Sequence, residues 1–128
     1  MDKEKLTVLY KKYQLTKDDI YKHQHYLIIS RSGIDKIQAV EKIIINYDVI
    51  NCEKDFCVVK ANATKETASI QTFGSALKGA DYKSGNVQTW YVMEMAEKRA
   101  MSRAVLKLTG FYELGVFGED ENEDFKRK

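Results

Sequence analysis

The chain has 128 residues, 44% hydrophobic and 31% charged, which is one domain's length with enough apolar residues to build its own core. That balance excludes a disordered chain and leaves no need for a disulfide framework or a structural metal. A net charge of +2 carries no general signal for a polyanionic partner, and the chain has no proline to interrupt a helix or strand.

Residues 3–13 place Leu6, Leu9, Tyr10 and Tyr13 at helical spacings and predict a short amphipathic helix. Thr16 to Asp19 reads as a turn or the start of another short helical piece. The apolar run Tyr26-Leu27-Ile28-Ile29 reads as a strand or as the beginning of the next element. Ser32, three residues before Asp35, resembles a capping box that opens a helix with Ile34, Ile37 and Val40 inward, ending near Glu41 or Lys42. Three strands follow, over 43–50, 56–61 and 67–73, and the short turns between them predict an antiparallel meander. A Gly- and Lys-rich loop, Gly74 to Asn86, leads to a long helix over Gln88 to Thr109 that stops at Gly110. The expected fold is therefore α+β: a three-stranded meander packed against a long C-terminal helix, with short N-terminal helices.

On that helix Trp90, Met93, Met101, Ala104, Val105 and Leu108 fall within an arc of about 120° and predict the core face. Arg99, Arg103 and Lys107, spaced i, i+4 and i+8, form a cationic ridge on an adjoining strip, with Ala96 and Ala100 beside them. The charge is also uneven along the chain. Residues 119–128 hold three basic residues against five acids, for −2, while residues 1–118 carry eighteen against fourteen, for +4. The excess lies in residues 60–112, with eight basic residues against four acids. This divides the chain into a domain over 1–118 and an acidic, flexible tail over 119–128.

Catalytic constellations are absent. His23 and His25 with Cys52 and Cys57 have poor spacing for a structural zinc site, and Gly74 to Gly79 lacks the Lys and Ser/Thr of a phosphate-binding loop. Asp18-Asp19 and Glu119-Asp120-Glu121 offer the carboxylates of a metal-dependent nuclease, without a nucleophile or an ordered base to accompany them. No metal and no cofactor are expected. The N-terminal stretch MDKEKLTVLY has no apolar signal-peptide region, which predicts a cytoplasmic protein with reduced thiols, and no run approaches the roughly 18 apolar residues of a membrane span. Trp90, Phe73 and Phe111 read as core aromatics, while Tyr82 beside Lys83 is a candidate for stacking on single-stranded bases.

The segment Met95-Ala-Glu-Lys-Arg-Ala-Met-Ser-Arg-Ala-Val-Leu-Lys-Leu-Thr-Gly110 resembles the Ala- and Arg-containing helix of single-strand annealing proteins, the phage Erf-type and Rad-fifty-two-type families. Phe73-Gly-Ser-Ala-Leu-Lys-Gly79 is similar to the small-residue stretch after their third strand, and Ser32 to Ile37 falls where a helix precedes their first. The resemblance spans about residues 26–112, by element order more than by identity. It implies a non-enzymatic protein of phage-type recombination or repair that assembles with itself into a ring or filament and holds single-stranded DNA for annealing. Arg103 matches the arginine lining the family's groove, and Ser102 stands where a second basic residue often occurs. The expected nucleic-acid-binding residues are Arg99, Arg103, Lys107, Lys98, Lys78, Lys83, Lys60 and Tyr82. A recombination or replication protein is the expected partner of the acidic tail. The competing readings are a protein-interaction module of the same fold with a regulatory tail, and a small metal-dependent nuclease.

Overall fold

In a computed structural model, residues 3–23, 26–79, 85, 87 and 91–121 are described. In chain order these form α1 (Lys3–Lys12), β1 (Ile20–His23), β2 (Tyr26–Ile29), α2 (Arg31–Glu41), β3 (Ile44–Cys52), β4 (Phe56–Lys65), β5 (Ala68–Leu77), α3 (Val92–Leu108) and β6 (Val116–Gly118). Single turns of 3-10 helix follow α3 at Tyr112–Leu114 and β6 at Glu119–Glu121. The expected antiparallel meander is present as the sheet β3-β4-β5. A second sheet, in the order β1-β2-β6, pairs β1 with β2 antiparallel and β2 with β6 parallel.

The helix α3 is the shared partner of both layers. Its first half packs Val92 and Ala96 against Cys57, Val59 and Ala76 of the meander. Its second half joins Ala100, Met101, Ala104, Val105 and Leu106 to Ile34 and Ile37 of α2, Ala61 and Ala63 of β4, Phe111 and Val116. Phe111 is fully buried, as expected, with the rings of Tyr13 and Tyr10 packed 5.9 and 6.5 Å from its own. Gly110, with φ of 88°, ends the helix in the left-handed region that glycine enters without steric cost.

Gly74 belongs to β5 and not to the loop that the sequence suggests. A Cβ there would overlap the Ala96 carbonyl oxygen and lie 2.5 Å from the Ala100 nitrogen. Glycine on the strand and alanines on the helix thus let the two backbones approach closely, and Thr72 Oγ1 donates to the Ala100 carbonyl at 2.6 Å across the same contact.

The α2 cap also differs from expectation. Ser30, not Ser32, is the N-cap and accepts from the Gly33 nitrogen. Ser32 donates instead to Asp19 at 2.6 Å. Asp19 is buried and also accepts from Lys36 at 2.5 Å and from the Thr16 nitrogen and hydroxyl at 2.9 and 3.1 Å. Burial pushes its carboxyl up, but the bonds from Lys36, Ser32 and Thr16 outweigh burial and hold it well below the usual carboxylate range. Glu41, at the end of α2, ties three elements together: it meets Lys12 at 2.9 Å, Lys65 at 2.7 Å and the Tyr13 hydroxyl at 2.9 Å. Its hydrogen bonds to Lys12 and Lys65, opposed by burial and helped by Tyr13, lower its carboxyl to about 2.

Two outcomes follow from these contacts. Gly74→Ala should cost about 2 kcal/mol or more in urea unfolding, because the overlapping atoms are backbone and cannot turn aside. Both carboxyls titrate lower in the folded chain than their ordinary values of 3.8 and 4.5. Their stabilisation is therefore complete above those values and lost as pH falls through the folded-state ones. The thermal midpoint should be level near neutrality and fall steeply below about pH 4.5, and Glu41→Gln should lower it at pH 7 while flattening the acid limb.

Candidate nucleic-acid interface

The meander has two unlike faces. Cys57, Val59, Ala61 and Ala63 of β4 and Thr72, Gly74 and Ala76 of β5 are buried towards α3. The intervening residues, Val58, Lys60, Asn62 and Thr64 of β4 and Ser69, Gln71, Phe73, Ser75 and Leu77 of β5, are exposed or half-buried on the opposite face. Strand alternation therefore turns Phe73, expected in the core, outwards, where half of it is exposed. Directly across from it is Lys60, whose Nζ is 3.8 Å from Asp48 on the next strand. Amide side chains continue the row: Asn62 donates to Asp48 at 2.9 Å and pairs across the sheet with Asn46 on one side and Gln71 on the other.

The cationic ridge is divided by the fold. Arg99 is 1% exposed, so it is not part of a solvated surface. Its Nη1 donates to the Ser75 carbonyl and its Nε to the Asp120 carbonyl, both at 2.9 Å. Arg103 is half-buried, and its Nη1 donates to the Phe73 carbonyl at 2.9 Å. The Ser75 and Phe73 carbonyls both lie on the outer edge of β5, facing away from β4. The fit is geometric: four residues of helix rise about 6 Å and two residues of strand about 6.7 Å, so arginines at i and i+4 match alternate edge carbonyls. Val87 extends the seal by donating its amide to the Leu77 carbonyl at 3.2 Å. The face carrying Ala96, Ala100 and the arginines is thus the one that meets the sheet. Met101, Ala104 and Val105, expected as core, are buried as well, whereas Met93 is exposed.

The other basic residues do not converge on Arg99. Lys107 is exposed, with its Nζ 5.2 Å from the centre of the Tyr112 ring. Lys98 is half-buried and lies about 140° round the helix axis from Arg103. Lys78 is exposed just past β5, and its amide donates to the Asp55 carbonyl at 2.7 Å. Lys83, Tyr82, Trp90 and His25 lie outside the described residues. What the structure brings together is Lys60, Phe73 and Arg103, the first two as a cross-strand pair and the third through the Phe73 backbone.

The acidic segment begins inside the fold. Besides the bond from Arg99, Asp120 accepts from the Ser102 hydroxyl at 2.9 Å, and Glu119 accepts from the Arg31 amide at 2.7 Å. Residues 119–121 therefore pack against α3 and the start of α2, and residues 122–128 lie outside the described residues. Ser102 makes up no missing cation; it is a partner of this acidic turn. Among the described residues, no three His, Cys, Asp or Glu side chains gather as a metal site, and no helix is long and apolar enough to cross a membrane. No family model, curated protein or solved structure matches the sequence.

The two arginines should separate experimentally. Arg99→Ala empties a fully buried position and leaves two part-buried carbonyls without a charged donor, and should cost roughly 2–3 kcal/mol in denaturant unfolding, while Arg103→Ala should cost about 1 kcal/mol or less. Arg99→Lys should not restore the loss, since one ammonium lacks the planar fork that reaches both carbonyls.

Proposed function

We propose that this protein binds single-stranded DNA on the uncovered face of the β3-β4-β5 sheet and acts, as an assembly of copies, in annealing during phage-type recombination or repair. The observation that carries the reading is Phe73, half exposed at the midpoint of the edge strand β5 and directly opposite Lys60 on β4. An aromatic exposed on a strand surface offers a base a stacking surface, with a lysine beside it for the phosphate. The amides of Asn46, Asn62 and Gln71 add groups that any base edge can use without enforcing a sequence.

Stacking on an open sheet differs from the helix groove that the family resemblance implies. Arg103 then acts as a positioning residue: by holding the Phe73 carbonyl it fixes the strand from which the ring projects. Lys78 lies beyond the same strand's end, where it extends the positive path. No bond is made or broken in this mechanism; the backbone is held and the outer base edges stay open to a complementary strand. One such face spans few nucleotides, so useful affinity requires several copies along one strand.

Fluorescence anisotropy with labelled oligo-dT tests the reading. Phe73→Ala should weaken binding by roughly 5- to 100-fold, and Lys60→Gln should weaken it less while lowering the slope of affinity against salt. Neither change should move the urea midpoint much, because both residues lie on the sheet face turned away from α3. Unchanged affinity in both variants would refute the interface. A wild-type chain that stays monomeric by light scattering in the presence of the oligonucleotide would refute the assembly.

A further inference from the structure

We propose that Cys52 and Cys57 form a reversible dithiol–disulfide pair, oxidised by small disulfides of the glutathione type. The two residues stand directly opposite each other at the end of the β3–β4 hairpin. The Glu53 amide donates to the Phe56 carbonyl at 2.6 Å and closes the turn. Antiparallel pairs alternate, so the next pair, Cys52 with Cys57, lacks mutual backbone bonds, and at such positions Cα atoms are about 4.5 Å apart. That separation is within the roughly 4.4–6.8 Å range that a disulfide spans, so the bond needs rotation of side chains and no movement of the strands.

Exposure assigns the order of events. Cys52 is exposed on an edge strand, and Cys57 is fully buried against α3. Burial, together with the hydrogen bond to Cys52 and the nearby Glu94 charge, pushes the Cys57 thiol up to about 11, so it is a poor first nucleophile. Cys52 loses its proton to solvent, and its sulfur attacks one sulfur of glutathione disulfide, breaking that bond and releasing one glutathione thiolate. Cys57 then gives its proton to the released thiolate, and its sulfur attacks Cys52 Sγ and expels the second glutathione. Two protein thiols are oxidised and one glutathione disulfide is reduced to two glutathiones. The product ties the tip of β3 to β4 beside the bond from the Lys78 amide to the Asp55 carbonyl.

The test incubates the native full chain with glutathione at graded redox ratios, then traps free thiols by alkylation and reads intact mass, with no nucleic acid present. The result is thus independent of the DNA-binding proposal. Wild type should lose both thiols together, become two hydrogens lighter, carry no glutathione and recover fully with a dithiol reductant. Cys57→Ser should stop at a stable glutathione adduct on Cys52, and Cys52→Ser should leave Cys57 unmodified until the chain is denatured. A wild-type chain that retains glutathione on Cys52 while Cys57 can still be alkylated after unfolding would overturn the proposal. So would one that keeps both thiols at every ratio, or that links into dimers through Cys52.

Discussion

The close approach of α3 to β5 is the contact from which the rest of the architecture follows. Without a side chain at Gly74, and with only methyl groups at Ala96 and Ala100, helix and strand meet almost backbone to backbone. At that distance Thr72 can reach a helix carbonyl, and two arginine side chains, laid across the sheet margin, can reach strand carbonyls. A bulkier residue at any of these positions would lift the helix and withdraw all three bonds together. The same helix carries Met101, Ala104, Val105 and Leu106 into the second layer, so its height above the meander also sets where α2, Phe111 and β6 can pack.

Charge in this chain is largely used internally. Lys12, Lys36 and Lys65 are committed to two buried or nearly buried carboxylates, and Arg99 to backbone carbonyls. The local excess of basic residues over 60–112 therefore overstates the positive surface. Removing Arg99, Arg103 and Lys107 together would mix a loss of surface charge with a loss of stability. The acidic run has the same double character: Glu119 and Asp120 serve as caps and acceptors for α2 and α3 before the chain continues beyond them.

The meander, the long helix and its stop at Gly110 were legible because each has a strong local signal: β-branched runs, short polar turns, helical periodicity and a glycine after the last turn. The buried face of α3 was legible only in part: Met101, Ala104 and Val105 are buried as expected, but Arg99 is buried too, because the wheel ranks residues by polarity and treats arginine as solvent-facing. A long side chain with several donors can instead cross an apolar face and end on edge carbonyls, and the clue was the small-residue pattern of Ala96, Ala100 and Gly74 rather than hydrophobicity. Phe73 was misread for a related reason. Its neighbours Thr72 and Gly74 look less apolar than it does, yet they point to the helix because space there is scarce. β1 and β6 escaped notice since one is four residues and the other three, and β6 finds its partner β2 almost ninety residues away in sequence. Ser30 and Ser32 both suit a cap, and only the tertiary position of Asp19 decides which hydroxyl turns inward.

The two margins of the meander are unlike. Along β5, the outward carbonyls of Phe73, Ser75 and Leu77 are all taken by groups of the same chain. Along β3, the margin carries exposed Ile44, Val49 and Ile50, and the register slips between Val49 and Asn51. This imposes a symmetry rule. Strand addition from copy to copy in a closed ring or an endless filament needs two complementary margins per subunit, one to give and one to receive. With the β5 margin taken, lateral joining of one meander to another can produce only a twofold pair through β3, and the slipped register twists even that margin against extended pairing. A ring or filament of this chain therefore cannot be built by joining meander to meander alone.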